Sequence, residues 1–183
     1  MKRVGQIIEM IALVLVCSFS LTAQADSTRL GKPVGGPMHK LVAGAQYHTT
    51  IPDFTDLPLK RGDYSYKLLY EYHEGIGFWQ LGASYAPSPK DRDIDYVLTP
   101  QINLILKDRF YRLGAGALKS RVKGKTESHW TDVYWQICAG LGIPLGSRFS
   151  FDVYAHYVFE SWDSIRDSDK GGVEYSALLG VTF

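Results

Sequence analysis

The sequence predicts an all-β protein: a closed eight-stranded antiparallel up-and-down transmembrane β-barrel, preceded by a cleaved signal peptide. Three observations predict it. Eight segments carry the period-two alternation of strands. The connections between them alternate between short and long, as in an even-stranded membrane barrel. No stretch after residue 25 approaches the roughly 20 apolar residues of a spanning helix, so the chain can cross a bilayer only as a closed barrel.

The chain of 183 residues opens with Lys2 and Arg3, an apolar run from Met10 to Leu21, and Ala23-Gln24-Ala25. A basic start, a short apolar run and small residues at both recognition positions predict a signal peptide over 1–25, cut after Ala25. The run is too short for a membrane anchor. A lipoprotein anchor at Cys17 is disfavoured, because Val16 precedes it and the apolar run continues past it. Removing 1–25 takes away Lys2, Arg3 and Glu9, so the 20 basic and 19 acidic side chains become equal in number. A neutral chain without a sustained basic face points away from nucleic acid. Cys138 is left alone, which excludes an intrachain disulfide. Residues 26–38, rich in Gly, Pro and polar side chains, read as a flexible periplasmic lead-in to a barrel over 39–183.

The expected strands are 39–51, 63–73, 76–86, 94–106, 109–120, 130–143, 148–160 and 173–183. At about 11 to 14 residues each, they reach or exceed the about 9–11 residues needed to cross on a tilt. In the second, Tyr64, Tyr66, Leu68, Tyr70 and Tyr72 oppose Ser65, Lys67, Leu69, Glu71 and His73. In the fourth, Leu98, Ile102, Leu104 and Leu106 oppose Thr99, Gln101, Asn103 and Ile105. The sixth, seventh and eighth alternate in the same way, the fifth less clearly, and the first least. Short connections are expected at 74–75, 107–108 and 144–147, and long polar ones at 52–62, 87–93, 121–129 and 161–172.

A soluble lipocalin-like carrier would also have eight alternating strands, with its apolar face inward. Strand length and the placing of aromatics favour the membrane form. Tyr47, Tyr85, Tyr96, Tyr157 and Phe159 lie near the long loops, and Tyr72, Trp79, Tyr111, Phe149 and Phe183 near the short turns, as in interfacial girdles.

The final segment, Tyr175-x-Ala177-x-Leu179-x-Val181-x-Phe183, resembles the terminal strand of bacterial outer-membrane proteins. The whole plan is similar to small OmpA/OmpX-type barrels. That resemblance implies a monomer in the bacterial outer membrane among lipid and lipopolysaccharide. It also implies that Phe183 is read by the barrel-assembly machinery.

With the apolar face outward, Lys67, Glu71, Arg112, Asp152, His156, Glu160 and Glu174 are expected in the lumen, with Gln46, His48, Gln101, Asn103 and Gln136. Eight strands leave just enough room for side chains, so these groups must pair with one another. A structural polar core is the favoured reading over transport or proton relay. No metal or cofactor is expected. His39, His48, His73, His129 and His156 show neither Cys/His ligand spacing nor an HExxH pattern.

Some small outer-membrane barrels are lipid A-modifying enzymes. Acyl hydrolases of the PagL family carry a His-x-Ser pair with an orienting carboxylate. The most similar stretch here is His156-Tyr157-Val158, which puts valine at the serine position. A pairing of Ser120 or Ser128 with His129 or His156 across strands stays open. The favoured function is a structural or surface-interaction barrel, with this enzyme as the alternative. Lys119, Arg121, Lys123 and Lys125 recur at spacing two on the outward face of the fifth strand. They are candidates for lipopolysaccharide phosphates just above the outer leaflet, against an ordinary solvated rim.

Overall fold

The computed structural model describes residues 38–49, 59–87, 89–90, 93–164 and 171–183. The expected signal peptide and all but the last residue of the lead-in lie outside them. Eight strands follow in chain order: β1 Met38–His48, β2 Tyr64–Glu74, β3 Gly77–Pro87, β4 Ile94–Asp108, β5 Tyr111–Gly124, β6 Ser128–Pro144, β7 Phe149–Phe159 and β8 Gly171–Thr182. Each pairs antiparallel with its neighbour, and β1 pairs with β8 from Lys40↔Thr182 to His48↔Glu174, which closes the barrel.

The polarity of the wall is the reverse of a soluble domain. Leu41, Leu68, Leu81, Ile102, Leu104, Leu141 and Leu179 are exposed on its outer face. Lys40, Lys67, Glu71, Asp152, His156 and Glu174 are buried inside. A continuous leucine-rich belt of this kind is stable only against lipid. The soluble-carrier alternative is thereby removed, since its barrel would need the opposite polarity. Among the described residues no helix is long and apolar enough to cross a membrane, so the strands do the crossing.

At one end the connections are tight. Gly75-Ile76 joins β2 to β3 with Gly75 at φ 59°, and Arg109-Phe110 joins β4 to β5 with the Arg109 guanidinium 5.0 Å over the Phe110 ring. At the other end the β5–β6 hairpin departs from expectation. β5 runs on to Gly124 and β6 starts at Ser128, so the predicted loop 121–129 shrinks to 125–127. Its polar composition suggests a loop, but above a membrane a strand has water on both faces and needs no apolar row. Within this hairpin Lys119 pairs with Val133 while Arg121 pairs with Trp130. The extra residue in β6 is a bulge that reverses its alternation. Ser120 N–H donates to the Thr131 hydroxyl at 3.0 Å across it.

Candidate functional site: the polar lumen and the basic rim

Two places carry chemistry, the barrel interior and the outer edge of β5. Inside, one hydrogen-bonded chain crosses several strands near the tight-turn end. Lys40 Nζ lies 2.5 Å from Asp152 Oδ2 and 3.3 Å from Glu71 Oε2. Glu71 also accepts from Gln80 Nε2 at 2.9 Å and meets His73 Nε2 at 2.9 Å. Gln80 in turn accepts from Asn103 at 2.9 Å, and Asn103 from Gln136 at 2.6 Å. Ser150 donates to Asp152 at 2.8 Å.

A second group lies toward the long loops. Glu174 Oε1 is 2.5 Å from His48 Nδ1, and His48 Nε2 is 2.8 Å from Ser65 Oγ. Gln46 donates to the other oxygen of Glu174. His156 Nε2 sits 2.9 Å from Ser176 Oγ and 3.5 Å from Lys67 Nζ. Buried Val42, Leu69, Cys138, Tyr154 and Leu178 alternate with these groups along their strands and keep water out. Leu59, from the β1–β2 connection, packs with Ala86 and Val97 above them.

The expected lumen residues divide. Lys67, Glu71, Asp152, His156 and Glu174 are buried in the interior. Arg112 is only half-buried at the turn end, where Nη1 donates to the Tyr111 carbonyl at 3.1 Å. Glu160 does not join them. β7 ends at Phe159, the chain bends into the short 3-10 helix Trp162–Ser164, and Glu160 is exposed. Its place in the alternation assumed a strand one residue longer. Trp162 meets Phe159 edge-on at 5.1 Å, which leaves that girdle residue fully buried under another aromatic ring.

Sequence reasoning missed Lys40 and Gln80 as members of the network, and put His73 on the inward face of the second strand without giving it a partner. Lys40 lies on the weakest expected strand, where Gly and Ala hide the pattern. Its signal was the inward row Lys40, Val42, Gly44, Gln46 and His48, read backward from the clearer end.

Among the described residues the Ser–His pairs that form are Ser65–His48 and Ser176–His156, while Ser120 bonds to Thr99 at 2.7 Å. The chain Glu174–His48–Ser65 has the connectivity of an orienting acid, a base and a nucleophile. The space beside Glu174 and His48 is only about 10 Å³, roughly enough for one water. Among the described residues no group of His, Cys, Asp and Glu could hold a metal ion.

On the outer face, Lys119 and Arg121 are exposed and Lys123 half-exposed, alternating with buried Leu118, Ser120 and Val122. Lys125 is exposed one residue beyond the end of β5. Arg121 is paired between Leu98 and Trp130, with its guanidinium 6.0 Å above the Trp130 ring. At the opposite end Phe183 is exposed, its N–H donates to the His39 carbonyl at 3.0 Å, and the two rings stack at 6.2 Å.

No family model and no curated protein matches the sequence. Among solved structures the chain is similar to Neisserial surface protein A (NspA), with a TM-score of 0.51 and 13% identity over 80% of this chain and 96% of that one. It is also similar to Ail, the attachment invasion locus protein of Yersinia pestis, with a TM-score of 0.46 and 16% identity over 81% of this chain and all of that one. At such identities the likeness is one of fold. Closure by eight strands and an apolar outer wall around a polar lumen define the class: this is an eight-stranded outer-membrane β-barrel. Within that class it has the small OmpA/OmpX-like architecture.

Proposed function

We propose that this protein is a non-channel surface barrel whose basic rim holds lipopolysaccharide phosphates. The observation that carries the reading is the outward row Lys119, Arg121 and Lys123, continued by Lys125 beyond the strand. The row continues the outward face that Leu113, Ala115 and Ala117 occupy lower on β5, and this reading puts the phosphates of the outer leaflet where that apolar face ends. Each exposed contact is worth on the order of 1 kcal/mol or less because water and salt screen it, so the cations act together. The polar lumen serves stability, since Lys40 pairs there with Glu71 and Asp152, and His48 with Glu174. The test is to change all four cations to Gln, purify variant and wild type in parallel, and measure lipopolysaccharide per barrel. The wild type should retain more at low salt, and the difference should shrink as salt rises. Equal retention at low salt would leave the row a solvated rim.

The second reading is a lipid A-modifying hydrolase, favoured by the Glu174–His48–Ser65 chain. It is the weaker, because a void of about 10 Å³ admits no acyl chain. Mass spectrometry of lipid A from cells with and without the protein should show the same acyl pattern. An acyl chain lost only in cells with active Ser65, and restored by Ser65→Ala, would establish the enzyme instead.

A further inference from the structure

The turn end of the barrel opens into a cavity of about 460 Å³, within the range of small-ligand sites. Its charged lining is one-sided. Lys40, Lys107, Arg109, Arg112 and Arg148 face it against the single carboxylate of Asp108. Lys40, at the floor, is occupied by Glu71 and Asp152. The other four cations have no carboxylate within 4 Å among the described residues. Lys107 Nζ instead lies 3.1 Å from His73 Nδ1, itself a lining residue.

The backbone is shaped to admit one of these cations. A Cβ at Gly142 would stand 2.4 Å from Arg112 Nη2 and 2.7 Å from its Cζ. With glycine there the guanidinium lies across β6 at the mouth, beside Asp152 Oδ1, which the same Cβ would meet at 2.6 Å. One of the five Arg112 N–H groups meets the Tyr111 carbonyl, which leaves the remainder of the fork for an acceptor. Three arginines, a lysine and a concave mouth are the chemistry of anion capture, and arginine in particular suits planar or tetrahedral oxyanions.

We propose that this mouth is a phosphate-binding vestibule on the side of the short turns, separate from the basic rim at the other end of the barrel. The phosphate comes either from the headgroup of an anionic phospholipid of the inner leaflet or from a free phosphate in the periplasm.

The experiment uses the full barrel in non-ionic detergent. Native mass spectrometry reads bound phosphatidylglycerol and phosphatidylcholine, and titration calorimetry without lipid reads inorganic phosphate. Wild type is expected to prefer phosphatidylglycerol. Arg112→Gln with Arg148→Gln should weaken it about tenfold, as loss of two charge-assisted contacts implies. Asp108→Asn should strengthen binding, and repeating each comparison in the four-Gln rim background, which removes the phosphate contacts proposed for the other end, should leave these differences in place. Lys107→Gln with Arg109→Gln is the second route should the first pair fail to fold. Phosphate bound without lipid selectivity, and lost in the arginine variant, would assign the free anion as the source. Binding of neither probe above phosphatidylcholine, or equal binding by the folded variants, would overturn the vestibule.

Discussion

Replacing Lys40 with methionine is expected to destabilise the barrel by about 3–5 kcal/mol, the cost of leaving buried charge without its partner. Lys40 is the only cation within salt-bridge reach of both Glu71 and Asp152 among the described residues, and both carboxylates are fully buried. Methionine keeps the unbranched stem as far as Cε and removes the ammonium, so packing changes little. Denaturant titration of the barrel in lipid vesicles, followed by tryptophan fluorescence, measures the loss. The same substitution in a Glu71→Gln, Asp152→Asn background should cost much less, because the charges it strands are gone. A loss below about 1 kcal/mol in the single variant would mean that the two acids are carried by their other donors, Gln80, His73 and Ser150.

Gly44→Val is expected to be comparably damaging, about 3 kcal/mol, the upper end of overpacking. Gly44 faces inward in β1 opposite Leu178 of the closing strand. A Cβ there would stand 2.0 Å from the Ala177 carbonyl oxygen and 2.8 Å from the Leu178 Cα. Both obstacles are backbone, so no side chain can swing aside, and relief must come from parting β1 and β8. Gly82→Val, whose Cβ would lie 2.1 Å from the Leu68 carbonyl oxygen, should behave alike at the β2–β3 seam. Folding yield into vesicles and denaturant midpoint report both. Wild-type stability of either variant would show that the wall gives more readily than its close contacts imply.

How much of this was legible in the sequence differs by residue. Lys67, Glu71, Asp152, His156 and Glu174 sit mid-strand, where period two alone assigns a face, and each lies inside the barrel. Glu160 was assigned by the same rule and is exposed, because alternation has no meaning once the strand bends away. Trp130 and Ser128 share the outer row only because a bulge reverses β6, and such a shift leaves no mark in a hydrophobicity pattern. Lys40 was hidden in a Gly- and Ala-rich strand whose alternation is faint.

The sequence by itself determined the number of strands, their antiparallel order, the side of the wall each mid-strand residue takes, and the row of cations on β5. These follow from local periodicity and loop length, which a single chain displays without reference to partners. Only the tertiary structure decided which inward charges meet. The pairing of Lys40 with Asp152, 112 positions apart, and of His48 with Glu174, 126 apart, depends on register across β1 and β8 and on barrel closure. The same holds for the turn-end vestibule. Lys107, Arg109 and Arg112 share the β4–β5 hairpin, where Lys107 pairs with Arg112, and only the curving of the sheet brings Arg148 of the β6–β7 connection to the same cavity. Periodicity fixes a residue's face, but its neighbours across the lumen are set by how the strands stagger when the ends of the sheet join.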